Sequence, residues 1–305
     1  MKLGFVTAIL EDENFEQVVD FAAEQKFRCL ETACWPVGKA ERRYAGVTHI
    51  DVDTLDPKRA GEILAYCGEK GIEIATLAYY PNVLEADPVR REEIISHLKK
   101  VILAADRLGV GMVTTFIGRV QNATVEENLK VVAQVWPEIL KAAEASNVRI
   151  AIENCPMLFG ADQWPGGQNL FTSPANWDRI FEILPSEYLG ITYDPSHFVW
   201  QMMDYIEPIY KYKDKIFHVH IKDIKLYPEK LKRTGTLAYP LEYMSPKLPG
   251  LGDVDWGKYM SALTDIGYDG YICLEIEDKA FEKTKKDVYN SLILSKRYIE
   301  NFLID

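Results

Sequence analysis

The strongest constraint on this chain is an alternation repeated eight times. Short β-branched or apolar runs fall at residues 3–9, 28–32, 73–79, 112–117, 149–154, 190–193, 216–222 and 271–276. Each is followed by a longer stretch of helical period, at 15–26, 57–70, 88–108, 125–146, 174–184, 203–212, 256–266 and 279–302. Strand–helix–strand units pair their strands in parallel through right-handed crossovers. Eight such units in 305 residues suit closure into an α/β protein of the (β/α)8 type, a TIM barrel, with residues 1–305 as one domain. The competing arrangement is an open doubly wound sheet.

Local signals mark the helix ends. Asp56-Pro57, Asp87-Pro88 and Ser173-Pro174 each put a capping oxygen before a proline at the first helical position. Thr124 and Glu127 fit a capping box. Gly71, Gly109 and Gly267 stand where helices should stop. Two connections are long, residues 156–172 and 224–255, and each follows a strand. In a barrel both lie over the carboxy-terminal mouth, where long loops are usually functional. Trp164, Tyr227, Tyr239 and Tyr243 suit packing over a ligand, and Trp164 is taken as a substrate contact. Aromatics in these loops would also suit a homo-oligomer.

The formal net charge of −11 argues against nucleic acid and anionic membranes as partners. The five cysteines form no CxxC pair, as expected of free thiols in a reducing compartment. The amino terminus lacks a signal-peptide pattern, and no apolar stretch reaches the length of a membrane span. The expectation is a soluble, cytoplasmic protein.

Chemistry concentrates at the ends of four successive strands. The fifth ends in Glu153-Asn154, the sixth in Asp194-Pro-Ser-His197, the seventh reads His218-Val-His220-Ile-Lys222-Asp223, and the eighth ends in Glu275-Ile-Glu277-Asp278. A lone glutamate after a strand is more often a solvated charge or a helix cap. Glu153 and Glu275 directly follow apolar strand cores, however, where a carboxylate is costly unless paired or metal-bound. Glu153, Asp194, His220 and Glu275 together make a mostly hard donor set. It favours Mn²⁺ or Mg²⁺ and tolerates Co²⁺ or Zn²⁺. One divalent ion, Mn²⁺ first, is therefore the expected cofactor. Such an ion, bound to neighbouring sugar oxygens, would stabilise the enediolate formed as a proton leaves carbon, with Glu153 and Glu275 as acid and base. His197 would reach past the ion to a substrate oxygen. Lys222 shares parity with His220 and is either a substrate contact or a salt-bridged lysine. His218 is either a core histidine or a support for the ligands, and Asp223 is expected to orient a histidine.

These residues resemble the xylose-isomerase-like barrels, a superfamily with ketose 3-epimerases, hydroxypyruvate isomerases, inosose dehydratases and the endonuclease IV family. The resemblance rests on Glu153, Asp194-x-x-His197, His218-x-His220-x-x-Asp223 and Glu275, with Pro249-Gly-Leu-Gly252-Asp-Val-Asp255-Trp256 before the seventh helix. It implies the same ligands, the same acid/base pair and a small-molecule sugar substrate. It also implies a substrate contact at His197, another at Asn82 after the third strand, and a weaker one at Glu31 on the second. The function it implies first is a metal-dependent sugar isomerase or epimerase. The alternative is a lyase or hydratase acting by β-elimination on 3-oxo-sugars or 3-oxo-glycosides. An endonuclease would need more histidines than the five present, and a non-catalytic sugar-binding barrel would not need two candidate bases.

Overall fold

In the computed structural model, which describes residues 1–38, 44–158 and 166–303, the alternation becomes a closed barrel. Its strands are β1 (Lys2–Val6), β2 (Cys29–Ala33), β3 (Glu73–Ala78), β4 (Met112–Thr115), β5 (Arg149–Glu153), β6 (Leu189–Tyr193), β7 (Ile216–Ile221) and β10 (Tyr271–Leu274). They pair in parallel around the ring, and β10 closes on β1. The strands are almost wholly buried, because the ring fills one side and helices cover the other. Two further strands, β8 (Asp223–Leu226) and β9 (Met244–Lys247), form an antiparallel hairpin outside the ring.

The helices are α1 (Phe15–Glu24), α2 (Pro57–Lys70), α3 (Pro88–Arg107), α4 (Val125–Ala145), α5 (Pro174–Ile183), α6 (Ser196–Val199), α7 (Glu207–Lys211), α8 (Pro228–Thr234), α9 (Trp256–Asp265) and α10 (Lys285–Ile299). Asp56, Asp87 and Thr124 cap as their sequences imply, the last in a reciprocal box with Glu127. Gly71, Gly109 and Gly267 all adopt the left-handed conformation that ends a helix. Trp136 of α4 is fully buried and donates its indole N–H to the Ile117 carbonyl at 2.9 Å, tying the helix to the end of β4. None of the described helices is long and apolar enough to cross a membrane.

Four sequence expectations shift. Strand one stops at Val6, because Thr7 turns its hydroxyl to accept the Ala33 N–H at 2.9 Å and a tight turn follows. The helix expected at 203–212 shrinks to α7 (Glu207–Lys211), preceded by a turn in which Asp204 accepts the Ile206 N–H at 2.7 Å, and a short helix that was not expected, α6, forms before it. Ser173 makes no capping bond. A third long connection, residues 34–56, runs between β2 and α2 and reaches the mouth.

Candidate active site

Four consecutive strands of the ring deliver one polar group each toward the same end of the barrel. Glu153 is the last residue of β5, His220 lies on β7, and Asp194 and Glu275 each follow the last residue of β6 and β10. One ligand atom from each lies within 4.8 Å of all the others. Their placement is braced from behind. Asn154 accepts the Asp194 N–H at 2.7 Å and donates to its carbonyl at 2.9 Å. Asn169 donates to the Glu153 carbonyl at 2.9 Å. Asp194 Oδ1 accepts the Ser196 N–H at 2.7 Å, which leaves Oδ2 facing the cluster.

Glu153 Oε1, Asp194 Oδ2, His220 Nδ1 and Glu275 Oε2 are all buried and have no hydrogen-bond partner. A buried polar atom without a partner is costly, and here four of them face one another. The tautomer of His220 sharpens this. Its Nε2 lies 2.9 Å from Glu31 Oε2, and a carboxylate only accepts, so Nε2 carries the proton. Nδ1 then turns a lone pair toward Glu275 at 3.1 Å and Glu153 at 3.4 Å. Acceptors facing acceptors need a positive charge between them. The same demand appears in the titration of His220. Burial pulls its pKa down, but Glu31 and Glu153 push it well above the usual histidine value. Burial likewise opposes the ionisation of Glu153 and Glu275. His220 for the first and Lys222 for the second outweigh it and hold both below the usual carboxylate range. Three carboxylates and one imidazole lone pair therefore fit a single divalent cation.

His197 and Lys222 flank the cluster. His197 Nε2 lies 3.2 Å from Asp194 Oδ2 and 3.6 Å from Glu153 Oε1. The Trp200 indole, which can only donate, gives its N–H to His197 Nδ1 at 3.4 Å. Neutral His197 thus carries its proton on Nε2, aimed into the pocket. Lys222 Nζ is held by Glu275 at 2.9 Å and by Glu277 at 2.6 Å.

Three expected site residues sit elsewhere than the sequence placed them. Glu31 is fully buried beneath the cluster, not open to a substrate. Its carboxylate accepts from His218 at 2.7 Å, His220 at 2.9 Å and Tyr80 at 2.6 Å. Burial would raise its pKa, but the charge of His220 and the bonds from both imidazoles drive it far down. His218 acts on the cluster only through Glu31. Asp223 orients no histidine. It accepts from the N–H groups of Gly250 (2.9 Å), Gly252 (3.2 Å) and Val254 (3.1 Å) and from the Trp256 indole (2.9 Å). It pins the loop before α9, and a Cβ at Gly252 would lie 2.2 Å from its Oδ1. Asn82 spends its amide on Arg119 and Leu84 backbone and does not line the pocket. Trp164 lies outside the described residues.

Above the cluster is a cavity of about 290 Å³. The 224–255 connection covers it, through Tyr239, Leu241 and Met244. Of its other expected aromatics, Tyr243 is buried and Tyr227 stacks against Lys230 instead. The sequence reading missed Trp35 and Tyr44 from the third long connection, and Glu277, whose shared parity with Glu275 was a usable signal.

The profile of the xylose isomerase-like TIM barrel family matches residues 19–293. The chain belongs to this family. Among its relatives, an inosose dehydratase from Clostridium perfringens (strain 13 / Type A) is 29% identical over 102 residues, which is 33% of this chain and 34% of that protein. The match thus spans about a third of that relative. The barrel superposes on the IOLI protein with a binding zinc atom at a TM-score of 0.74 and 19% identity, over 100% of both chains. It superposes on D-psicose 3-epimerase from Clostridium cellulolyticum H10, crystallised with D-tagatose, at 0.70 and 16%, also over 100% of both. At such identities these two likenesses speak for the shared fold.

Proposed function

We propose that this family member is a divalent-metal-dependent enzyme that removes a proton from the carbon next to the carbonyl of a sugar. The single observation that carries the proposal is the set of four buried, partnerless ligand atoms on Glu153, Asp194, His220 and Glu275. When bound, a divalent ion polarises the carbonyl and stabilises the negative charge that builds on its oxygen. Everything else falls to the chain. Glu153 takes the proton. His197 donates its Nε2–H to a substrate oxygen. Lys222 holds Glu275 by one oxygen, so that its other oxygen keeps facing the cluster. The hairpin over the mouth keeps water from the charged intermediate. Return of that proton by Glu153 to the neighbouring carbon would complete an isomerisation; passed by way of solvent or a substrate hydroxyl to Glu275, it would be delivered to the opposite face and complete an epimerisation. Mn²⁺ is the ion we propose, on the hardness of the donors.

A second reading is β-elimination, in which the same abstraction expels a group instead of returning the proton. The position of Lys222 between Glu275 and Glu277 favours it, since an ammonium facing the pocket can steady a departing oxyanion. The resemblance to an inosose dehydratase points the same way.

Incubating the Mn²⁺-loaded protein in D₂O with ketohexoses, inososes and 3-oxo-glucosides tests both. Proton exchange without loss of a group supports isomerase chemistry, and exchange coupled to release of water or an alcohol supports elimination. Absence of exchange across all three sets would sink the proposal. Elemental analysis of protein grown on mixed metals tests the ion, with Zn²⁺ as the competing outcome.

A further inference from the structure

The cavity has two chemistries. At its base stand Glu153, His197, His220, Lys222, Glu275 and Glu277. Around them, among the described residues, stand Trp35, Phe116, Met157, Leu158, Trp200 and Met244. Three of the polar atoms on aromatic side chains there are already engaged. The Trp200 N–H serves His197, the Tyr80 hydroxyl serves Glu31, and the Tyr44 hydroxyl serves the Ile276 carbonyl. Their rings face the cavity as apolar surfaces. Met157 is 2% exposed and adopts φ 60°, a left-handed conformation unusual for a residue with a long side chain. The backbone bears that strain at the residue that completes an apolar wall.

A free sugar presents hydroxyls in every direction, and buried hydroxyls need partners. Among the described residues, apart from Ser196, Tyr239 and Lys279, the wall is built of apolar surfaces that offer few such partners. An apolar group, by contrast, is stabilised by leaving water for such surfaces.

We infer that the substrate is a sugar or cyclitol ketone bearing an apolar substituent, an aryl or branched alkyl group, which sits against Trp35, Phe116, Met157 and Met244 while the ring carbons reach Glu153. The inference rests on the proton-abstraction reading and adds the class of substrate. It holds whether the proton is returned or a group is expelled.

The test compares methyl and phenyl 3-oxo-β-D-glucopyranosides and free 3-oxo-glucose with the metal-loaded protein. Solvent deuterium exchange gives kcat/KM, and calorimetry gives affinity. We expect kcat/KM for the phenyl compound to exceed that for the methyl compound at least tenfold, mostly through KM. Met244→Gln should cut that ratio at least fivefold. Leu241→Asn, at a half-exposed roof position, should cut it too and covers the case in which the first variant fails to fold. Equal or better turnover of the methyl compound or the free sugar overturns the inference while leaving the proton chemistry intact. If no compound exchanges, the proton chemistry fails instead, and calorimetry still judges the substituent: equal affinities for the two glycosides overturn it.

Discussion

Glu153, Asp194, His220 and Glu275, on the floor of the pocket, stand on or next to strands paired on both sides within the barrel. Tyr239, Leu241 and Met244, on its roof, belong to a connection whose β8–β9 hairpin is paired with no barrel strand. The floor is polar and over-determined. Asn154, Asn169 and Glu31 each fix a ligand from behind. The roof is apolar and held at its base, by Asp223 and by the short antiparallel pairing. Groups on strands are placed more accurately than groups on loops, and positioning governs proton transfer. Apolar contact, being non-directional, tolerates a looser wall. On the proposed function, the difference assigns chemistry to the floor and substrate choice to the walls and roof, so changes in one should leave the other's signature alone.

The sharpest way to break this division is Glu153→Gln. It should lower the rate of proton exchange by about 10²–10⁴-fold while the circular dichroism spectrum stays that of the parent. A variant within tenfold of the parent rate would remove Glu153 from its role as base. Stripping the ion comes next. If the ion is held at about 100 times its dissociation constant, chelation should cost about 2.7 kcal/mol of stability, read as a lower melting temperature. Glu275→Ala, with the site already broken, should show little further response to chelator. Glu31→Gln tests the floor one layer down. Metal affinity should fall about 10–100-fold, while KM at saturating metal stays put. A changed KM at saturating metal would return Glu31 to the role of substrate contact. Smallest for the chemistry is Asp223→Asn, which loosens the roof. It should cost about 1–3 kcal/mol of stability and raise KM, with metal affinity unaltered in an equilibrium titration. Weakened metal binding there would show that the two regions are not separate.

Much of the floor was legible in the sequence. A carboxylate directly after an apolar strand core, as at Glu153 and Glu275, is costly enough to need a partner, and strand parity puts His218, His220 and Lys222 on one face. Less of the roof was legible. Residues 224–255 carry lysine, tyrosine, proline and glycine without a clear period, so the β8–β9 hairpin left no pattern to read. The connection between β2 and α2 was not legible because nothing in the sequence around Trp35 or Tyr44 marks them as lining the cavity. Asp223, expected to orient a histidine, and Asn82, a substrate contact implied by the family resemblance, instead spend their side chains on the backbone of loops far off in sequence and, for Asp223, on the Trp256 indole.

The alternation of apolar runs with helical stretches, by itself, determined a parallel α/β fold and put the four polar groups at strand ends of one side, because side-chain parity and the direction of each strand are local consequences of the pattern. Which way those groups face was decided only when the ring closed. Closure brings Glu31 to His218 and His220 from 187 and 189 residues away. Fixed on one nitrogen by Glu31, His220 turns its other lone pair toward Glu153 and Glu275. That orientation depends on distance and burial, which no sequence spacing encodes, and it is what makes four acceptors into a place for a cation.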